Sequence, residues 1–127
     1  MTQDEIQDIL DHAYPLIKSY FGKGKLDYPK IDTSHKNTYA MHSGEPEADG
    51  EHAATSIAEY YKGTIYLYLP NITNEEELLR ALVHEYTHYT QDNELFAKYR
   101  SMYSYDEDPT EIEAHKNEKK WQLFSKK

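Results

Sequence analysis

The chain has 127 residues, of which 23 are acidic and 14 basic, so its formal net charge is −9. This length fits a single domain over residues 1–127, and the acidic balance argues against nucleic-acid binding, which depends on Lys and Arg neutralising phosphates. Cysteine is absent, which excludes disulfides and thiolate metal sites, so any metal must be bound by His, Asp or Glu.

The N-terminal segment is predicted to be a helix. Thr2 and Glu5 fit a capping box, in which each side chain bonds the backbone of the other residue. We expect Pro15 to kink or divide the helix and Gly22 and Gly24 to end it. The apolar residues that follow helical spacing are Ile6, Ile9, Leu10, Ala13 and Ile17.

Three segments are predicted to form a small antiparallel sheet. A short strand at residues 28–31 is weakened by Pro29. Thr55–Tyr61 and Thr64–Leu69 are rich in β-branched and aromatic residues, and Lys62-Gly63 between them suits a tight hairpin turn. Residues 43–51 (SGEPEADGE) have the composition of an exposed acidic loop.

The second half of the chain is predicted to be mainly helical. One begins after Pro70, capped by Thr73 with Glu76 or by Asn74 with Glu77, and extends to about Gln91. The connection over residues 92–108 can contain a short helix. The last helix begins at Asp108-Pro109, where Asp suits the N-cap and Pro the first turn. These elements predict an α+β fold.

Residues 84–88 read His-Glu-Tyr-Thr-His. On a helix, residues four apart share one face, so His84 and His88 can present two imidazoles to a single ion. Glu85 is rotated by about 100° from His84. Its carboxylate therefore lies beside the metal, where it can take a proton from a metal-bound water. The competing interpretation is a polar helix face with two unrelated histidines.

A catalytic zinc ion needs a third protein ligand. A ligand on a second helix packed against the first would be held most rigidly, which favours Glu111 or Glu113. However, Asp108 and Glu111 also fit a capping box, so Glu111 can instead close its own helix. The downstream residues able to bind the metal are Glu94, Asp106, Glu107, Asp108, Glu111, Glu113, His115 and Glu118.

The two segments His84–His88 and Glu111–His115 together resemble the gluzincins, a clan of zinc metallopeptidases, and most of all its minimal single-domain members. The resemblance covers about residues 55–125. It implies a zincin-like domain in which Glu111 is the third ligand. It also implies that His115 holds a zinc histidine by a hydrogen bond, although the clan has Asp or Asn there. The strand Thr64–Leu69 resembles the clan's edge strand, which pairs with an extended peptide substrate.

The resemblance implies a zinc-dependent metallopeptidase that hydrolyses peptide bonds. Zinc would be bound by His84, His88 and Glu111, with Glu85 as general base. The alternative is a zinc-stabilised binding or regulatory domain without turnover, since one fold hosts many functions.

The expected partner is a peptide or protein substrate, with no nucleic acid and no membrane, and the expected state is a monomer. The N-terminal sequence MTQDEIQDIL lacks the basic residues of a secretory leader. We therefore expect a soluble cytoplasmic protein, in the host cell if a phage or plasmid encodes it.

Overall fold

The computed structural model describes residues 1–33 and 57–126. The expected acidic loop at 43–51 and the start of the strand predicted from Thr55 lie outside these ranges. In the two described ranges, the α-helices are α1 (Gln3–Phe21), α2 (Glu75–Thr90), α3 (Asn93–Met102) and α4 (Pro109–Glu118), and the strands are β1 (Lys30–Asp32), β2 (Ala58–Tyr61) and β3 (Thr64–Leu67). Short 3-10 turns cover Leu69–Asn71, Tyr105–Glu107 and Trp121–Phe124. The predicted α+β class is confirmed.

The helix α1 begins at the predicted capping box. The Glu5 amide donates to Thr2 Oγ1 at 3.1 Å, and the Thr2 amide donates to Glu5 Oε1 at 2.9 Å. Pro15 does not divide the helix, which continues to Phe21. Pro15 and Asp11 both lie on the exposed side, where water can bond the carbonyl that loses its helical donor. Gly22, with φ of 82°, ends the helix as predicted.

The sheet has the order β1-β3-β2. The strands β2 and β3 are antiparallel and joined by Lys62 and Gly63, whose φ angles of 46° and 90° form the predicted tight turn. By contrast, β1 is parallel to β3, with Lys30 opposite Thr64, so the sheet is mixed and not antiparallel throughout. A two-residue turn fixes the direction of the strands that it joins, whereas the long connection after β1 permits either direction.

The strand β3 is in the centre of this sheet, with Ile65 and Leu67 fully buried. The identification of residues 64–69 as an edge strand was therefore wrong. Within the described sheet, β2 is at the edge on the side of the motif helix α2. The backbone amide of Tyr60 in β2 donates to Glu85 Oε1 at 2.9 Å.

The core lies between α1, β3 and one face of α2, and Phe124 from the C-terminal segment packs into it. Two tyrosines of α2 fasten it to the segment after α1: the hydroxyl of Tyr86 donates to Gly22 O and that of Tyr89 to Leu26 O, both at 2.6 Å. One face of α2 is thus fixed by the core, which leaves His84 and His88 on the face toward α4. In the described part of the chain, no helix is long and apolar enough to cross a membrane.

Candidate metal centre

The helices α2 and α4 bring the motif histidines and the downstream glutamates together. The Glu77 amide donates to Asn74 Oδ1 at 2.9 Å, so one of the two predicted caps begins α2. Asp108 caps α4 by accepting from the Thr110 amide at 2.9 Å. Between the helices, Asn117 Nδ2 lies 3.2 Å from Thr87 Oγ1. The two caps fix the residue at which each helix begins. The bond between Asn117 and Thr87 helps to fix the position of α4 along α2.

The histidines of the motif face one another, with their Nε2 atoms 3.2 Å apart. The Oε1 atom of Glu111 lies 3.0 Å from His84 Nε2 and 3.1 Å from His88 Nε2. Nitrogen and oxygen ligands at about 2.0–2.1 Å from a tetrahedral metal ion are separated by about 3.3 Å. These three atoms therefore have nearly the spacing of three ligands around one ion, and all three residues are buried.

Glu111 is the glutamate of α4 that faces the histidine pair. Its carboxylate does not return to the Asp108 amide, which donates instead to Ser104 O at 2.9 Å, so the capping-box interpretation of Glu111 does not hold. Glu113 is exposed and accepts from Gln91 Nε2 at 2.8 Å. It therefore points away from the cluster.

The outer nitrogens of both imidazoles face acceptors. His84 Nδ1 lies 2.6 Å from Glu118 Oε2, and His88 Nδ1 lies 2.8 Å from Gln91 Oε1. The amide group of Gln91 is oriented by donating its nitrogen to Thr110 O at 2.9 Å. Both Nδ1 atoms therefore carry hydrogens, and both Nε2 atoms point at Glu111. Lone pairs this close repel one another unless a proton or a metal cation lies among them.

The charge balance around the cluster agrees with this requirement. Burial by itself lowers the pKa of His84, but hydrogen bonds to Glu111 and Glu118 outweigh it and raise the pKa to about 10. Burial by itself raises the pKa of Glu111, but the hydrogen bonds to His84 and His88 outweigh it and hold that pKa well below its usual range. The site thus favours a positive charge between its carboxylates.

His115 lies beside the cluster but does not bond a ligand nitrogen in the way that the resemblance implied. Glu118 accepts from His84 instead, and His115 Nδ1 lies 2.9 Å from the same Glu118 oxygen. The hydroxyl of Tyr105 lies 2.9 Å from His115 Nε2. The ring of His115 packs edge-on against His84 at 4.7 Å between centroids. Glu118 therefore orients His84, and His115 binds that glutamate.

Two overlapping sets of residues can hold a metal ion. His84, Glu111 and His115 each offer a ligand atom within 4.8 Å of the others. His88 lies closer to His84 and Glu111, at the 3.1–3.2 Å given above. We favour the set with His88, because the nitrogens of His115 are already bonded to Glu118 and Tyr105.

Glu85 borders the cluster without entering it. Its Oε2 atom is 4.0 Å from His84 Nε2, while Oε1 accepts from the Tyr60 amide. Burial raises the pKa of this carboxyl group, and the charges of His84 and His88 oppose that effect. One oxygen is therefore held by β2, and the other faces the histidines as the motif predicts.

A cleft of about 360 Å³ adjoins the cluster. Its lining includes Ala58 of β2, Ala81 and Glu85 of α2, and Tyr105. Glu85 thus borders both the cleft and the histidine cluster. A small molecule or a chain segment in this cleft would lie against the candidate centre.

Sequence reasoning did not assign roles to three residues that support the cluster. Arg100 donates to Glu111 Oε2 at 2.8 Å, Gln91 bonds His88, and Glu118 bonds His84. Glu118 was considered only as a metal ligand. It follows Glu111 by seven residues, or two helical turns, and that spacing was the available signal for its place on the same face.

Comparison of the chain with protein-family models, with curated proteins and with solved structures gave no match. Any assignment of function therefore depends on the chemistry of this site.

Proposed function

We propose that the protein is a zinc-dependent peptidase whose general base is Glu85. The proposal depends above all on one observation: Glu85 borders both the histidine cluster and the cleft, with Oε2 4.0 Å from His84 Nε2. A carboxylate beside the donor set, and outside it, is the arrangement that metal-assisted hydrolysis needs.

The donor set suits zinc. Two imidazole nitrogens and one carboxylate oxygen, with no cysteine in the chain, match the ligands of catalytic zinc sites, which leave a position for water. When bound, zinc would act as a Lewis acid toward water and toward the carbonyl group of the substrate. His84, His88 and Glu111 would hold it, oriented from outside by Glu118, Gln91 and Arg100.

The side chain of Glu85 is arranged for proton transfer. The Tyr60 amide fixes Oε1, so Oε2 is the oxygen that takes the proton of the attacking water and gives it to the leaving amine. Burial makes this carboxylate more basic than one in water. A peptide or protein is the proposed substrate, because the cleft of about 360 Å³ beside the donor set, lined in part by Ala58, Ala81 and Tyr105, can hold a segment of a polypeptide chain.

A non-catalytic, metal-stabilised binding domain is the second candidate. The proximity of His115 to His84 and Glu111 favours it, since a fourth protein ligand gives the closed coordination of structural zinc sites. In that case Glu85 would have no chemical role, which separates the two candidates.

Metal content is the first test. Protein purified without a histidine tag is expected to contain about one zinc per chain by elemental analysis, since one cluster of this kind is present in the described residues. His88→Ala should lose the metal, whereas His12→Ala, which alters an exposed histidine of α1, should retain it. Unchanged zinc in His88→Ala would refute the ligand assignment.

Activity is the second test. The zinc-loaded protein is expected to cleave members of a broad peptide library, and Glu85→Gln is expected to reduce cleavage by about 10²–10⁴-fold while retaining zinc. The matched control is Glu94→Gln, which neutralises an exposed glutamate of α3. Equal product from the native chain and Glu85→Gln, both with zinc, would leave only the binding-domain candidate.

A further inference from the structure

The helix α3 has no buried residue, yet it contacts the candidate metal centre. Phe96 and Arg100 lie one turn apart on the same side of this helix. Each of them contacts a different residue of the donor set. We refer to Phe96 and Arg100 together as the α3 clamp.

The contacts of the clamp are specific. Arg100 Nη2 donates to Glu111 Oε2 at 2.8 Å, and Arg100 Nε lies 3.6 Å from Asp108 Oδ2 at the start of α4. The ring of Phe96 packs edge-on against His88, with 5.2 Å between centroids. The guanidinium group of Arg100 lies over the Phe96 ring at 4.5 Å, so the two side chains also hold each other.

These contacts orient the ligand atoms. The side chain of Glu111 is only 4% exposed, so water is largely excluded from it and its hydrogen-bond donors must come from the protein. Arg100 donates to Oε2, and the Tyr105 hydroxyl also bonds this carboxylate. With Arg100 in place, Oε2 is held at the outside and Oε1 faces the imidazoles. Without Arg100, the buried carboxylate loses its charged donor and is held less firmly against rotation about its last bond.

Arg100 also has an opposing effect, because its positive charge disfavours a metal cation nearby. That repulsion is weakened by solvent, since the Arg100 side chain is 51% exposed. The hydrogen bond by which Arg100 orients the buried Glu111 carboxylate is less affected by solvent than this longer-range repulsion. Orientation is therefore the larger effect, and Arg100 should strengthen metal binding.

We infer that Arg100 and Phe96 are positioning residues for the ligands Glu111 and His88, and that metal binding is coupled to the docking of α3. The coupling is reciprocal: if docked α3 strengthens metal binding, then bound metal stabilises docked α3 by the same factor. This inference needs metal binding but no peptide hydrolysis, so it goes beyond the proposed peptidase activity.

The affinity of the full-length chain for Zn²⁺, measured by competition with a chromophoric chelator, tests the first half of the inference. Arg100→Gln should bind about 10–100-fold more weakly than the native chain, as removal of a partner of a metal ligand typically does. Arg100→Lys, which keeps one donor and the charge, should recover part of the loss. Lys98→Gln, an exposed position on the same helix, is the matched control and should leave affinity unchanged.

Two further measurements test whether Arg100 and Phe96 position the metal ligands and whether metal binding is coupled to the docking of α3. The visible spectrum of the Co²⁺-loaded protein should change in Arg100→Gln and Phe96→Leu, because the ligand field reports ligand orientation. Zn²⁺ should slow amide hydrogen exchange over residues 93–102 in the native chain and have little effect on it in Arg100→Gln. A purely structural ion pair would change neither the Co²⁺ spectrum nor the metal dependence of exchange.

Zn²⁺ affinity of Arg100→Gln within twofold of the native value would overturn the inference while leaving the metal centre and the proposed peptidase intact. Native protein that binds neither Zn²⁺ nor Co²⁺ would overturn both. Native protein that binds metal with the expected Arg100 effect, but cleaves no peptide, would support the clamp and refute the peptidase proposal.

Discussion

Replacement of Glu118 by glutamine should weaken metal binding by about tenfold. Glu118 Oε2 lies 2.6 Å from His84 Nδ1, and the exposed fractions of the two side chains are 18% and 11%. A hydrogen bond of an imidazole N–H to a largely buried carboxylate contributes about 1.5–3 kcal/mol, and a bond to the neutral amide oxygen of glutamine contributes about half as much. The difference is about 1–1.5 kcal/mol, and each 1.4 kcal/mol changes an equilibrium constant tenfold. Glutamine keeps the size of the side chain and loses its charge, so the packing of α4 on α2 should be retained.

The matched comparison is His115→Ala. The resemblance to gluzincins implied that His115 holds a zinc histidine, whereas the structure has Glu118 bonded to His84 and His115 bonded to Glu118. Removal of His115 leaves the bond between Glu118 and His84 in place, so Zn²⁺ affinity should fall by less than about threefold.

Both Glu118→Gln and His115→Ala can be assayed by titrating metal-free protein with Zn²⁺ in the presence of a chromophoric chelator of known affinity. Circular dichroism of the metal-free proteins controls for loss of fold. The reasoning is refuted if Glu118→Gln binds Zn²⁺ as tightly as the native chain does. It is also refuted if His115→Ala has the larger effect.

Two further predictions concern stability. Burial and the neighbouring charge of Glu85 raise the pKa of Glu59 from 4.5 to about 7, so the folded state binds this proton more tightly than the unfolded state. The native chain should therefore lose stability relative to Glu59→Gln as the pH rises through that range, by on the order of 1–2 kcal/mol after allowing for partial exposure. Urea denaturation of both proteins at pH 5 and pH 8 measures the difference, and a constant difference would contradict the prediction. Gly63→Ala should destabilise the protein by about 1 kcal/mol. Its φ is 90° and an added Cβ meets no atom within 4 Å, so the cost lies in the backbone alone, and an unchanged urea midpoint would refute that reasoning.

The features that were predicted correctly from the sequence depend on hydrogen bonds between residues that are close together in the chain. The capping box of α1, the Asn74 and Asp108 caps and the Lys62-Gly63 turn each depend on neighbours along the chain. The shared face of His84 and His88 follows in the same way from the helical repeat. These patterns were sufficient for the α+β class and for the two helices that carry the candidate site.

Errors arose where the answer depended on distant segments. Pro15 was expected to kink or divide α1, and the helix is not divided there. Pro15 lies on the side of α1 that faces water, and that side is set by the packing of α1 on α2. The strand 64–69 was assigned to a sheet edge, yet β3 is central, because strand order is set by pairing across the sheet. The parallel direction of β1 has the same origin, since no short turn joins it to its neighbour.

The sequence by itself determined which residues can bind a metal ion and which two share a helical face. It did not determine which acidic residue of α4 completes the set, because that depends on how α4 is rotated and shifted along α2. The packing of α4 against α2 turned Glu111 and Glu118 inward and left Glu113 exposed. Helix rotation depends on side-chain packing between segments far apart in the chain, so only the tertiary structure decided it.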